Sequence, residues 1–183
     1  MFARLLLLAL LVAPAALAQA PPSVPGRYRL RICEGSCNAG VPWAEGTLVL
    51  LAMPMRDAAG AVRTTPGGEP VNGCFLFTTL RRHGLLGGPR AGPALWRGER
   101  LGGVWVDLDP EGVDASYVLV LRVAPGGLAG KGLSSYASAP RPPPLPPDPV
   151  VAERQGDADA RMCDAWALES AHGPACTRLS ACR

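Results

Sequence analysis

The sequence predicts an all-β domain: a small antiparallel barrel, or a sandwich, of about eight strands, stapled by disulfides and followed by a short C-terminal helix. Three observations support this fold class. Short alternating or apolar segments recur between glycine and proline turns, no helical pattern separates them, and the cysteines are even in number, at 6. We favour the closed barrel because the connections are short through Val123 and because closure removes exposed strand edges.

The N-terminus has the pattern of a secretory signal peptide. One positive charge at Arg4 precedes an apolar run from Leu5 to Ala13, and Ala16-Leu17-Ala18 supplies the small residues that a signal peptidase requires. The run is shorter than the roughly 20 apolar residues that span a bilayer. We therefore expect cleavage after Ala18 and a periplasmic or secreted chain with no membrane span. The predicted divisions are a signal peptide (1–18), a β-domain (19–155), and a C-terminal helix with a cysteine-bridged tail (156–183).

Three strands are predicted in the first half of the chain. The segment from Arg27 to Ile32 alternates charged and apolar residues, which is the pattern of a half-buried strand. Its inward positions are Tyr28, Leu30 and Ile32. The segments Gly46–Met53 and Gly73–Leu80 are continuous apolar runs of strand length, bounded by glycine, proline or polar residues.

The second half of the β-domain has hairpin spacing. Short strands are predicted at Leu95–Arg97 and Val104–Asp107, and a longer one at Ser116–Val123. The glycine-rich segment 127–137 is interpreted as a kinked strand, because glycine within a strand marks bends or close backbone approach. A last short strand, Pro149–Arg154, completes the set.

Proline and glycine punctuate the C-terminal region. The proline-rich segment 138–149 predicts an extended connector, because proline lacks the backbone donor that helices and sheets require. A helix is predicted over 158–171, with Asp157 as its N-cap and Gly173-Pro174 as its stop. We expect Cys163 and Trp166, on one face of this helix, to attach it to the domain.

All six cysteines lie in the exported part of the chain, where an even number predicts disulfides. Cys176 and Cys182 are close together in the tail and are expected to close a small loop. The other four are expected to tie the main body, in a pairing that the spacing leaves open: Cys33, Cys37, Cys74 and Cys163. Zinc is not predicted. The spacing of Cys33 and Cys37 would suit two zinc ligands, but the sequence has no second pair of ligands at a matching spacing.

Charge and composition bound the choice of partners. The formal net charge is +3, from 18 basic and 15 acidic residues, which is too balanced to predict a nucleic-acid partner. The chain is rich in alanine, glycine and proline, and its basic residues are arginines except for Lys131. This composition is typical of a GC-rich bacterial genome.

The candidate binding residues are Arg27, Arg29, Arg31 and Trp43. The arginine row predicts first a solvated strand face, because a strand that buries one side shows charged residues on the other. The alternative is a binding surface for an acidic protein or an anionic envelope polymer. Trp43 is placed in a loop, where it either covers the barrel mouth or serves as an interface anchor, because tryptophan and arginine are enriched in binding hot spots.

No catalytic or metal motif is evident, so neither an enzyme nor a cofactor or metal is predicted. His83 and His172 are the two histidines, and neither lies in a metalloprotease pattern. Asp107 begins a D-x-D-x-E-G stretch that resembles the start of a calcium loop. We interpret it as a hairpin turn, because Pro110 interrupts it and Val118 stands where the bidentate glutamate is needed.

These features predict an exported, non-catalytic binding module that inhibits an envelope-targeting or secreted enzyme or binds an anionic envelope component. One alternative is a carrier with an apolar small molecule inside the barrel, and another is a hydrolase with His83 as its first candidate residue. The size of the inward side chains separates the first two. Bulky residues such as Tyr28, Leu119 and Leu121 fill a small barrel, whereas a carrier keeps a cavity.

Overall fold

The computed structural model describes residues 23–81, 91–100, 103–108, 115–136 and 146–164, which form a closed antiparallel barrel of eight strands. The strands are β1 (Gly26–Cys33), β2 (Pro42–Leu50), β3 (Gly73–Leu80), β4 (Ala91–Arg100), β5 (Gly103–Leu108), β6 (Ala115–Ala124), β7 (Gly127–Tyr136) and β8 (Asp148–Gly156). Each strand pairs with the next in sequence, and β8 returns to pair with β1. The predicted fold class is confirmed, and the barrel is closed.

Period-two alternation decides which side chains fill the barrel. Tyr28 is 2% exposed, and Leu30 and Ile32 are fully buried, which confirms the inward face predicted for β1. The same alternation buries Leu119 and Leu121 of β6. An eight-stranded barrel has an interior just wide enough for side chains to fill it.

The predicted strand limits hold for β3 and need correction for β2. The latter begins at Pro42 and ends at Leu50, rather than running from Gly46 to Met53. The backbone N–H of Leu51 still donates to the carbonyl of Asn72 at 2.8 Å, beyond the last paired residues of β2 and β3, and the chain then leaves the barrel. The glycine-rich segment is a strand, β7, as expected, but it pairs with β6 in a continuous register without the predicted kink.

Two glycines of β7 permit close backbone approach. A Cβ atom at Gly130 would lie 2.1 Å from the carbonyl oxygen of Val120, and one at Gly132 would lie 2.2 Å from the hydroxyl oxygen of Tyr117. Any larger side chain would displace β6 or the buried tyrosine. This is the packing reason for a strand that is poor in side chains.

A second apolar cluster lies outside the barrel, against β2 and β3, and was not predicted. Its buried members are Val49, Leu51, Met55, Val71, Cys74, Ala91 and Cys163. The connection from β2 to β3 and the start of the C-terminal helix cover these residues. The outward residues Val49 of β2 and Cys74 of β3 are buried because further parts of the chain pack on them.

A disulfide joins this cluster to the helix. Cys74 of β3 is bonded to Cys163, and a second bridge joins Cys33 to Cys37. Both bridges lie among the four cysteines expected to tie the main body. The proposed pair of Cys176 and Cys182 lies outside the described residues and stays a prediction.

The C-terminal helix is confirmed, but its predicted N-cap is wrong. Helical residues are described from 160 to 164, and Asp159 caps them by accepting the N–H of Arg161 at 3.0 Å. Asp157 instead accepts a bond from Arg154 of β8 at 3.3 Å. The helix starts later than expected because β8 extends to Gly156 and the chain needs the intervening residues to turn. Trp166 lies outside the described residues.

Candidate binding surfaces of the barrel

The arginine row lies on the outward side of β1, and two of its members contact carboxylates on the neighbouring strands. Arg29 donates to Glu45 Oε1 from Nε at 2.7 Å and from Nη2 at 2.5 Å. Arg31 Nη2 donates to Glu153 Oε1 at 2.6 Å. Arg27 contacts a backbone carbonyl of β8 at 3.4 Å. The row is therefore partly neutralised where it lies.

These ion pairs cross the sheet diagonally. In the strand register, Arg29 faces Glu153 and Arg31 faces Glu45, yet each arginine bonds to the carboxylate that faces the other. The hydrogen bond to Glu45 is the main reason that the pKa of Arg29 is raised above its ordinary value. Opposite charges alternate across β2, β1 and β8, which fits the interpretation of the row as a solvated face.

Trp43 is not in a loop, and this predicted position is corrected. It belongs to β2 and is 3% exposed. Ile32 pairs with Ala44 while Cys33 pairs with Pro42, so Trp43 is the extra residue of a β-bulge. A bulge redirects a side chain that simple alternation would send outward, so the ring enters the core.

The Trp43 ring packs within the barrel, away from the arginine row. It meets Tyr117 edge to face, with ring centroids 5.8 Å apart and an angle of 87° between their planes. The Tyr117 hydroxyl donates to Asp148 Oδ2 at 2.9 Å. The structure thus does not bring the four predicted binding residues together, because three face outward and the fourth faces inward.

Arg154 of β8 closes one end of the barrel over Tyr28. Its guanidinium carbon lies 5.9 Å from the centroid of the tyrosine ring. Its Nη1 donates to the carbonyls of Ser23 at 2.7 Å and Pro25 at 3.0 Å. Burial is the main reason that the pKa of Tyr28 is raised. This cap fastens the entering chain to the last strand.

An open cleft of about 430 Å³ lies beside this cap. Its lining is mostly apolar, with Leu51, Pro54 and Ala158 among its walls. Its two charged lining residues, Arg154 and Asp157, bond to each other. The cleft therefore lacks the convergent set of available polar groups that orients a small ligand.

A third surface, which the sequence analysis missed, covers the outer side of β5, β6 and β7. Trp105 and Leu133 are 38% and 39% exposed there, and Val118 and Val120 lie between them, half-buried. A signal was present, because the VLVL run of β6 is apolar on both faces. Such a run is expected where something covers both sides of a strand.

Several predicted candidates fall outside the described residues: His83, His172, the 109–112 turn and most of the proline-rich connector. Within the described ranges, no group of three or more histidine, cysteine, aspartate or glutamate side chains could hold a metal ion. No helix among those same residues is long and apolar enough to cross a membrane.

Comparison with known proteins found no relative of this chain. No family model matches the chain, and no curated protein or solved structure matches it either.

Proposed function

We propose that this chain is an exported, non-catalytic binding module that binds another macromolecule with the outer surface of its barrel. The filled interior is the observation that carries the proposal. The largest fully buried side chains include Tyr28, Tyr117, Phe75 and Phe77, and the last two rings lie 5.2 Å apart. Side chains that pack against one another in this way occupy the volume that a carrier reserves for its ligand.

The compartment we propose is the bacterial periplasm or exterior. Two disulfides support an oxidising environment, because cytosolic thiols are normally kept reduced. The signal-peptide pattern of the first 18 residues also supports export from the cytosol.

The partner we propose is an envelope-targeting or secreted enzyme that the module inhibits, or an anionic envelope component. A rigid, closed barrel presents its outer side chains with little loss of conformational entropy on binding, which favours recognition of a large surface. The arginine row contributes solubility in this proposal, because Glu45 and Glu153 already neutralise Arg29 and Arg31.

Native mass spectrometry of the mature protein, exported by a bacterial host and purified without reductant, tests the proposal. A mass equal to that of the polypeptide alone supports macromolecular binding. An apolar small molecule released when the protein is denatured contradicts it and supports the carrier. The denatured mass also counts the disulfides, since each one lowers it by about 2 Da.

A further inference from the structure

An apolar face with two cations covers the outer side of β5 to β7. We call it the Trp105 face and define it as Trp105, Val118, Val120 and Leu133, with Arg122 and Lys131. In the register of the strands, Val120 lies between Trp105 and Lys131, and Val118 lies beside Leu133. Directly paired side chains have Cβ atoms about 5 Å apart, so these residues form one continuous surface.

The two cations of this face differ from those of the arginine row. Arg122 is paired with Ala129 across the strands, which makes Lys131 its diagonal neighbour at about 7–8 Å. In the part of the chain that the structure describes, neither cation forms an ion pair, whereas Arg29 and Arg31 both do. The two charges are exposed and lie beside apolar side chains.

One carboxylate, Asp107, borders the Trp105 face. Asp107 is paired with Val118 on the side away from Leu133, whereas Arg122 lies further along β6, beyond Val120. The charge is therefore divided along the strands, with one carboxylate towards one end and two cations towards the other. A complementary surface has to bring apolar groups and, at the cation end, negative charge.

We propose that the Trp105 face docks a segment of a partner protein in which acidic and apolar side chains are mixed; this inference rests on the proposed binding function. Tryptophan and arginine are enriched where interfaces are strongest, and contiguous exposed apolar surface marks interaction sites. Trp105 and Leu133 are each about two-fifths exposed, so the larger part of each side chain is already covered. Two charges among four apolar residues suit a protein segment of opposite charge, whereas binding to a lipid surface scales with the apolar area that the membrane buries.

Selection from a displayed library of random 12-residue peptides tests this inference with a defined probe. The bait is the complete mature protein with its disulfides intact. Each round is counter-selected against a Trp105→Ser/Lys131→Glu variant, and the melting temperature of this variant is measured because Trp105 is only 38% exposed. The control is Arg29→Glu, which makes the same change of charge on the arginine row. Because it also removes the ion-pair partner of Glu45, its melting temperature is measured beside that of the counter-selection variant.

We expect the enriched peptides to combine aspartate or glutamate with apolar residues. Their affinity should fall at least about tenfold with Lys131→Glu and by less than about twofold with Arg29→Glu. It should also fall with rising salt, because exposed charges are screened. Enrichment of peptides without acidic residues, or equal affinity for the Lys131→Glu variant, overturns the inference.

Other results separate this inference from the proposed function. Peptides that are enriched only when the counter-selection is omitted, and whose affinity is lost only with Arg29→Glu, move the surface to the arginine row and leave the binding module intact. Binding to phosphatidylglycerol vesicles that Trp105→Ser abolishes, with no peptide enriched, assigns the face to lipid and overturns the inference. A co-purifying small ligand in the native mass spectrum overturns the proposed function itself.

Discussion

The Cys74–Cys163 bridge should stabilise the folded chain more than the Cys33–Cys37 bridge does. The two bridges span sequence separations of 89 and 4 residues. In the chain-entropy description, a cross-link removes more freedom from the unfolded chain as the loop it closes becomes longer. The expected contributions are about 4.5 kcal/mol for the long loop and about 2 kcal/mol for the short one.

Paired alanine substitutions make the comparison clean. All four cysteines are buried, so each double variant loses similar packing and the difference between them reports mainly on loop length. Urea unfolding of Cys74→Ala/Cys163→Ala and Cys33→Ala/Cys37→Ala should place the first about 2.5 kcal/mol below the second in free energy of unfolding. Equal losses, or a larger loss for the short loop, would refute the loop-length argument.

Two further predictions concern the buried tyrosine and the helix cap. Gly132→Ala should lower the free energy of unfolding by about 1–3 kcal/mol, because its Cβ would collide with Tyr117. The control is Gly67→Ala, whose Cβ would have its nearest contact at 3.6 Å. Equal melting temperatures for the two variants would contradict the packing account. Hydrogen bonding from Arg161 lowers the pKa of the Asp159 carboxyl in the folded protein. The ionised carboxylate therefore stabilises the fold fully above the pKa that Asp159 has in the unfolded chain, and this stabilisation is lost as the pH falls through the lower pKa of the folded protein. An NMR titration should show this pKa rising towards 3.8 in Arg161→Ala, and an unchanged pKa would assign the shift to another cause.

The repeating part of the fold could be predicted from local pattern. Alternation in β1 identified its inward residues, and the apolar run of β3 identified that strand to the residue. Short connections favoured a closed barrel but left a sandwich open, and the pairing of β8 with β1 decided between them. These features depend on the two-residue period of a strand and on turn residues, which neighbouring positions in the chain specify.

The positions that decide function depended on which strands became neighbours. Trp43 entered the core because one extra residue in β2 shifted the register opposite Cys33, and alternation alone does not reveal a bulge. The helix cap moved to Asp159 because β8 continues to Gly156.

The charges and the outer apolar surfaces were likewise decided partly by the sequence and partly by the tertiary structure. The sequence by itself determined a β-chain with an even number of cysteines and with arginines on one face of its first strand, and it predicted export. Only the tertiary structure paired Arg29 with Glu45, covered part of the outside of β2 and β3, and left Trp105 and Leu133 about two-fifths exposed. The physical reason is that partners across a sheet are distant in the chain, so their contacts arise from register and packing rather than from local pattern.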